Sequence, residues 1–262
     1  MKSLAFVVPV HGRWALTEIC LRQLRRTCDT LKENGVDARA VIVSDAITLR
    51  EKIKPLELGF ATAERDNAFT SRRFNDGIQL ATDPRFGDPV DYVVPCGSDD
   101  WVDHRLFLEP LPLPHQIFGF QHMSFVRENG REICTTFLDY EGGAGIRVIP
   151  RELVASQPRF EGEQWEPYRP ADDDRERGCD TSILVNLRRH HGDYIKVKHW
   201  DTSPYWIVDW KTHGQQLNSY EQVTSLRRSS TQGDPFKVLA GVYPDEALEE
   251  MERHYFGVKA AV

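Results

Sequence analysis

The amino-acid sequence predicts an α/β protein: an open, twisted, mixed sheet flanked by helices, in a single domain with two lobes. Three observations predict it. From Ser3 to Cys96, apolar runs rich in β-branched residues alternate with segments of helical period. Short polar stretches follow three of these runs, at His11-Gly12-Arg13, Ser44-Asp45 and Ser98-Asp99-Asp100. Past Leu111 the apolar runs become shorter, as in a mixed or antiparallel sheet.

Ser3 to Val10 is continuous and apolar, as a strand buried on both faces should be. From Trp14 the period changes. Leu16, Cys20, Leu24 and Leu31 fall near one helical face, with Arg22, Arg25, Arg26 and Lys32 mostly elsewhere. Glu33-Asn34-Gly35 ends that helix on a glycine able to take left-handed φ. Ala38 to Asp45 reads as a second buried strand, and Gly59 to Glu64 as a weaker third. Thr70 to Asp83 is a helix with Phe74, Ile78 and Ala81 inward, and Val90 to Cys96 is the fourth strand.

In the second half, Leu111 to Val126, Arg131 to Tyr140 and Gly145 to Pro150 read as short strands, followed by a short helix over Pro150 to Ser156. Gln157 to Arg177 is polar, with Pro158, Pro167, Pro170 and the acids Asp172, Asp173 and Asp174, and predicts a long mobile loop. Cys179 to His191 is a helix, Tyr194 to Trp200 and Tyr205 to Trp210 are extended, and Asp245 to Tyr255 is an amphipathic terminal helix. No linker or repeat divides the chain. The expected organisation is one domain over 1–262, with halves 1–111 and 112–225 and a tail 226–262.

Composition narrows the classes. The 262 residues are 40% apolar and 28% charged, with a net charge of −7. That excludes an overall basic field for nucleic acid or anionic lipid. Asn186 to Lys198 and Ser225 to Arg228 are the one candidate basic strip for phosphates. Five cysteines stand singly, which disfavours zinc and a disulfide scaffold and suits a reducing, cytoplasmic setting. The first apolar run is too short for a signal peptide, and no stretch approaches the roughly 20 apolar residues of a membrane span.

The chemistry centres on Asp91 to Asp103, "DYVVPCGSDDWVD". Open α/β sheets bind ligands outside the carboxyl ends of their strands. Two adjacent carboxylates at such an end repel each other unless a cation or donor offsets them. Oxygen ligands of this kind suit Mg²⁺ or Mn²⁺ shared with substrate phosphates, while a turn capped by serine and aspartate is the structural alternative.

"VVPVHGRW", "VIVSD", "RRFNDGIQLA" and "DYVVPCGSDDWVD" occur in this order. Together they resemble the nucleotide-sugar half of GT-A-fold glycosyltransferases, most nearly the large inverting family that includes cellulose and chitin synthases. Arg73, Asn75, Gly77, Ile78 and Ala81 match that family's helix pattern, with Phe74 inserted. The resemblance implies a nucleoside diphosphate sugar donor, a Mn²⁺ or Mg²⁺ cofactor and a sugar acceptor. It places Pro9, Val10, His11 and Arg13 along the nucleotide and Asp45 at the base edge. It also places Arg73 by the diphosphate or ribose, Asn75 and Ser98 in the donor site, and Asp99 on the metal. His199 is the candidate additional metal ligand. Asp180, at a helix start, is the implied base, with Asp172, Asp173 and Asp174 as substitutes. One departure stands out: Gly97 replaces the first aspartate of the family's acidic motif. The stretch after Val208 is similar to a tail of phage-borne glycosyltransferase-like proteins, which implies a host-cytoplasmic setting. Glycan, protein and modified DNA base are all open as acceptors. The rival readings are a nucleotidyltransferase, disfavoured by the single glycine after the first strand, and a non-catalytic nucleotide-sugar-binding protein.

Overall fold

The computed structural model describes residues 2–66, 70–137, 146–155, 167–168, 179–192, 195–200, 203–211, 220–221 and 228–257, without the side chains of 179–182, 204 and 228. The loop expected over Gln157 to Arg177 lies outside the described residues except for Pro167 and Tyr168.

The first lobe follows the predicted order. Strand β1 (Lys2–Pro9) leads to helix α1 (Trp14–Glu33), β2 (Val36–Ser44), β3 (Ala61–Glu64), α2 (Thr70–Thr82) and β4 (Tyr92–Pro95). These four strands are parallel, in the spatial order β4-β1-β2-β3. Their carboxyl ends therefore share one edge of the sheet.

Further along come β5 (Asp100–Val102), β6 (Gln116–Phe120), β7 (His122–Val126), β8 (Ile133–Phe137) and β9 (Arg147–Pro150). Helix α3 (Cys179–His191), β10 (Lys196–Trp200), β11 (Ile207–Trp210), β12 (Arg228–Gly233) and helix α4 (Asp245–Phe256) complete the chain. The strands form two mixed sheets. A seven-stranded sheet runs β10-β6-β9-β4-β1-β2-β3, and a five-stranded sheet runs β12-β8-β7-β11-β5. The apolar stretch from Gln116 to Val126 breaks at Gln121, so β6 and β7 enter different sheets. Both sheets take strands from either side of residue 111.

Packing explains the layers. Helix α1 lays Leu24, Cys28 and Leu31 against Leu4, Phe6, Ala40 and Ile42 on one face of the large sheet. Helix α2 lays Phe74, Ile78 and Ala81 against Ala5, Val7, Val41 and Val43 on the other. Gly77 allows that approach, because a Cβ there would lie 2.3 Å from Val7 Cγ1. A third cluster joins Leu16 and Cys20 of α1 to Trp101, Val208 and Trp210 of the small sheet and to Ala247, Leu248 and Met251 of α4. Helix α4 is also tied to α1 by ion pairs from Arg22 and Arg26 to Glu250. The Tyr255 hydroxyl donates to the Lys211 carbonyl at 2.6 Å. Among the described residues, no helix is long and apolar enough to cross a membrane.

Candidate functional site

The site forms where β1 and β4 end. Past Pro9, the Val10 amide still donates to Val43 (2.8 Å). The Val10 carbonyl accepts from the Ser44 hydroxyl (2.9 Å) and from buried Arg73 (3.1 Å). The loops after β1 and β2 are thereby tied together. Gly12 and Arg13 then take consecutive left-handed conformations, φ 67° and 47°, before α1 begins. That region is uncommon for a residue with a Cβ, and it is found where surrounding structure holds it. Here the Arg13 guanidinium reaches across to Asp99 Oδ2 at 2.5 Å.

The turn after β4 is built around Gly97. Its amide donates to Asp100 Oδ2 at 2.7 Å. A Cβ at Gly97 would lie 2.6 Å from that oxygen and 2.8 Å from Asp99 Oδ1. The space beside Gly97 where a Cβ would lie is occupied by the next two carboxylates.

Strand β5 then pairs antiparallel with β11, and the register sets Asp100 directly opposite Asp209. The Trp210 amide donates to the Asp99 carbonyl at 3.0 Å, which ties the turn to β11. One oxygen from each of Asp99, Asp100 and Asp209 lies within 4.8 Å of the others. Asp209 and Lys211 are only 8% and 6% exposed, and Lys211 Nζ sits 2.5 Å from Asp209 Oδ2. The other oxygen, Asp209 Oδ1, is buried and has no hydrogen-bond partner among the described residues.

Like charges facing each other across a strand pair are destabilising, and burial sharpens the conflict. Burial, then Asp209 and Asp99, hold the Asp100 carboxyl well above its ordinary range. Burial pushes Asp209 up to about 6 even though Lys211 pulls the other way. Burial opposes the charge on Arg13, but the facing carboxylates, Asp99 first, leave its guanidinium above its ordinary value. Three carboxylates face two cations, Arg13 and Lys211. The cluster is short of positive charge, and its ligands are hard oxygens. That chemistry suits a divalent cation of the Mg²⁺ or Mn²⁺ type.

Several other expected site residues make contacts of their own. Asp45 caps the helical turn that follows β2, accepting from the Thr48 amide (2.9 Å) and hydroxyl (2.8 Å). These hydrogen bonds hold its carboxyl below the ordinary range. Asn75 donates to the Tyr168 carbonyl (2.6 Å) and accepts from the Tyr168 amide (2.9 Å), so its side chain fastens that segment. His199 stands apart from the acidic cluster. It lies on β10, which is separated from β4 by β6 and β9, whereas β11 brings Asp209 beside β5. Ser98 is buried in the turn, Pro9 and Val10 are buried at the end of β1, and His11 is exposed. Asp180 lies in the first turn of α3, but its side chain is outside the described residues. The expected basic strip divides: Val197 packs on the face of α3, while Lys198 lies over the Phe118 ring on the other face. Its Ser225 to Arg227 part is outside the described residues.

Asp209 and Lys211 were not expected in the site. The available signal is the stretch "IVDWK", an apolar strand that carries an acid and a lysine two residues apart on the same side.

No family model matches the chain, and no curated protein matches it. Among solved structures, the chain is similar to the catalytic domain of Drosophila beta-1,4-galactosyltransferase 7 in complex with xylobiose. That match has 15% identity over 78% of this chain and a TM-score of 0.45, and it spans 66% of the other chain, just under two thirds of its length. Glucosyl-3-phosphoglycerate synthase from Mycobacterium tuberculosis, in complex with Mg²⁺ and uridine diphosphate, matches at 13% identity over 93% of this chain and 81% of that one, with a TM-score of 0.46. A 4-diphosphocytidyl-2C-methyl-D-erythritol synthase from Anaerococcus prevotii matches at 11% identity over 85% and 95% of the two chains, with a TM-score of 0.41. At this identity and score, none of them bears on the chemistry of this chain.

Proposed function

We propose that this chain is a glycosyltransferase that moves a sugar from a nucleoside diphosphate sugar to an acceptor hydroxyl, with inversion and with help from Mn²⁺ or Mg²⁺. The observation that carries the reading is the trio of half-buried Asp99 and Asp100 with buried Asp209, beside Arg13, at the carboxyl edge of a parallel sheet. The residues fit a divalent cation, because a buried carboxylate oxygen, Asp209 Oδ1, stands there without a partner among the described residues. Asp99, Asp100 and Asp209 would hold that cation. Bound there, it would neutralise the diphosphate and ease its departure.

The chain's own groups supply the rest. Helix α1 opens next to Asp99 with no side-chain cap on its first amides and no acid in its first turn. Its positive end therefore remains available to a phosphate. Arg13 adds a guanidinium held in place by Asp99. Asp180 would take the acceptor hydroxyl proton as that oxygen bonds to the anomeric carbon and the bond to the diphosphate breaks.

The test is a donor panel. Melting temperature is measured with UDP- and GDP-sugars, with and without Mn²⁺, followed by product analysis. Release of the nucleoside diphosphate supports sugar transfer. Release of pyrophosphate would show a nucleotidyltransferase instead. A shift with donor and no turnover on any acceptor would show a binding protein.

A further inference from the structure

The nucleotide-sugar motifs give Lys211 no role, yet it is a buried cation beside the acidic trio. It is 6% exposed, its Nζ lies 2.5 Å from Asp209 Oδ2, and the same Nζ lies over the Phe125 ring, 5.6 Å from the centroid. Its backbone is held at both ends of the peptide unit. The amide donates to the Val126 carbonyl at 3.0 Å, and the carbonyl accepts from the Tyr255 hydroxyl at 2.6 Å. A fixed backbone with a flexible four-carbon stem lets the ammonium move while its anchor stays in place.

We propose that Lys211 is the built-in counter-ion of this site. It neutralises Asp209 while the site holds no divalent cation. It is displaced from Asp209 when a cation enters, and its freed ammonium then binds a diphosphate oxygen of the donor. The inference rests on the cation-binding reading of the acidic trio. Two observations carry it. Lys211 engages one Asp209 oxygen while the other is buried and has no partner among the described residues, so the carboxylate has a coordination site already open. Buried Asp209, beside half-buried Asp99 and Asp100, would be unfavourable as a charge with Arg13 alone nearby, and the Lys211 ammonium offsets it. A lysine serves this purpose because its point charge can be exchanged for another without a fixed fork geometry.

The experiment compares wild type with Lys211→Met, which keeps the stem and removes the charge. Mn²⁺ alone is titrated by calorimetry, and UDP is then titrated at saturating Mn²⁺. Removal of the competing charge should tighten Mn²⁺ binding by about tenfold or more. UDP should bind about tenfold more weakly to the variant at saturating Mn²⁺. Equal Mn²⁺ affinity in the two proteins overturns the counter-ion role. Unchanged UDP affinity overturns the diphosphate contact. If neither protein binds Mn²⁺, the cation reading itself fails. Should Lys211→Met not fold, wild-type protein with ¹³C-labelled lysine is titrated with Mg²⁺. A shift of the Lys211 Cε resonance supports displacement, and its absence under saturating Mg²⁺ overturns it.

Discussion

Half-buried Asp100 and buried Asp209 face each other in register across the antiparallel β5–β11 pair. Two carboxylates in that relationship burden the cation-free fold and become useful only when positive charge stands between them. Replacing Asp100 by Asn removes one charge and keeps the shape. The cation-free protein should gain up to about 1 kcal/mol. The rise in melting temperature on adding Mn²⁺ should shrink by more than half. Thermal unfolding in chelator and in Mn²⁺ reads both effects, and an unchanged Mn²⁺ response would take Asp100 out of the site.

Asp99 anchors Arg13 and belongs to the acidic trio. Asp99→Ala should weaken UDP or GDP binding by about tenfold or more and abolish its dependence on Mn²⁺. Calorimetry with and without metal measures both quantities.

Asp209 gives a pH signature. Burial raises its carboxyl to about 6 in the folded protein, whereas an unfolded aspartate titrates at about 3.9. Between those values the folded state holds more protons than the unfolded one. Stability from this group is therefore full below about pH 4 and lost as pH rises through about 6. In chelator, wild type should lose stability across that window more steeply than Asp209→Asn. Parallel urea titrations at several pH values compare the slopes, and coincident slopes would refute the assignment.

Gly97 offers a further test. Gly97→Asp adds a third acid to the turn, and its Cβ would lie against the carboxylates of Asp99 and Asp100. The variant should be less stable by about 1–3 kcal/mol and should bind Mn²⁺ more weakly. Tighter Mn²⁺ binding would mean that the turn accommodates the extra acid.

Asp180→Asn keeps shape and much of the capping capacity of its helix start but cannot accept a proton. Turnover should fall by about 10²–10⁴-fold while donor affinity stays near wild type. Full activity would move the base to Asp172, Asp173 or Asp174.

The first lobe is legible because period and burial agree. Leu4 to Val10 is uniformly apolar and buried, and Leu24, Cys28 and Leu31 keep one helical side. Strands β5 and β12 are not legible. Asp100 to Val102 is three residues led by an acid, and Arg228 to Gly233 contains no apolar side chain, so the pairing of each comes from its neighbours. Arg13 and Asp99 carry local signals, since each follows a buried strand. Asp209 becomes meaningful only through its register with Asp100, which is a tertiary fact. Asn75 shows the opposite case: a motif residue whose amide is taken up by Tyr168.

The hydrogen bond from Tyr255 to the Lys211 carbonyl sets an order of assembly. Asp99 emerges early in synthesis and meets only Arg13, whereas Asp209, Lys211 and Tyr255 arrive more than a hundred residues later. Loop closure over such spans is slow, so the site matures with the last helix to dock. A ribosome-bound chain stalled before α4 would carry the turn at Gly97 but not the finished trio. Cation sensitivity should therefore appear abruptly once α4 has emerged and docked.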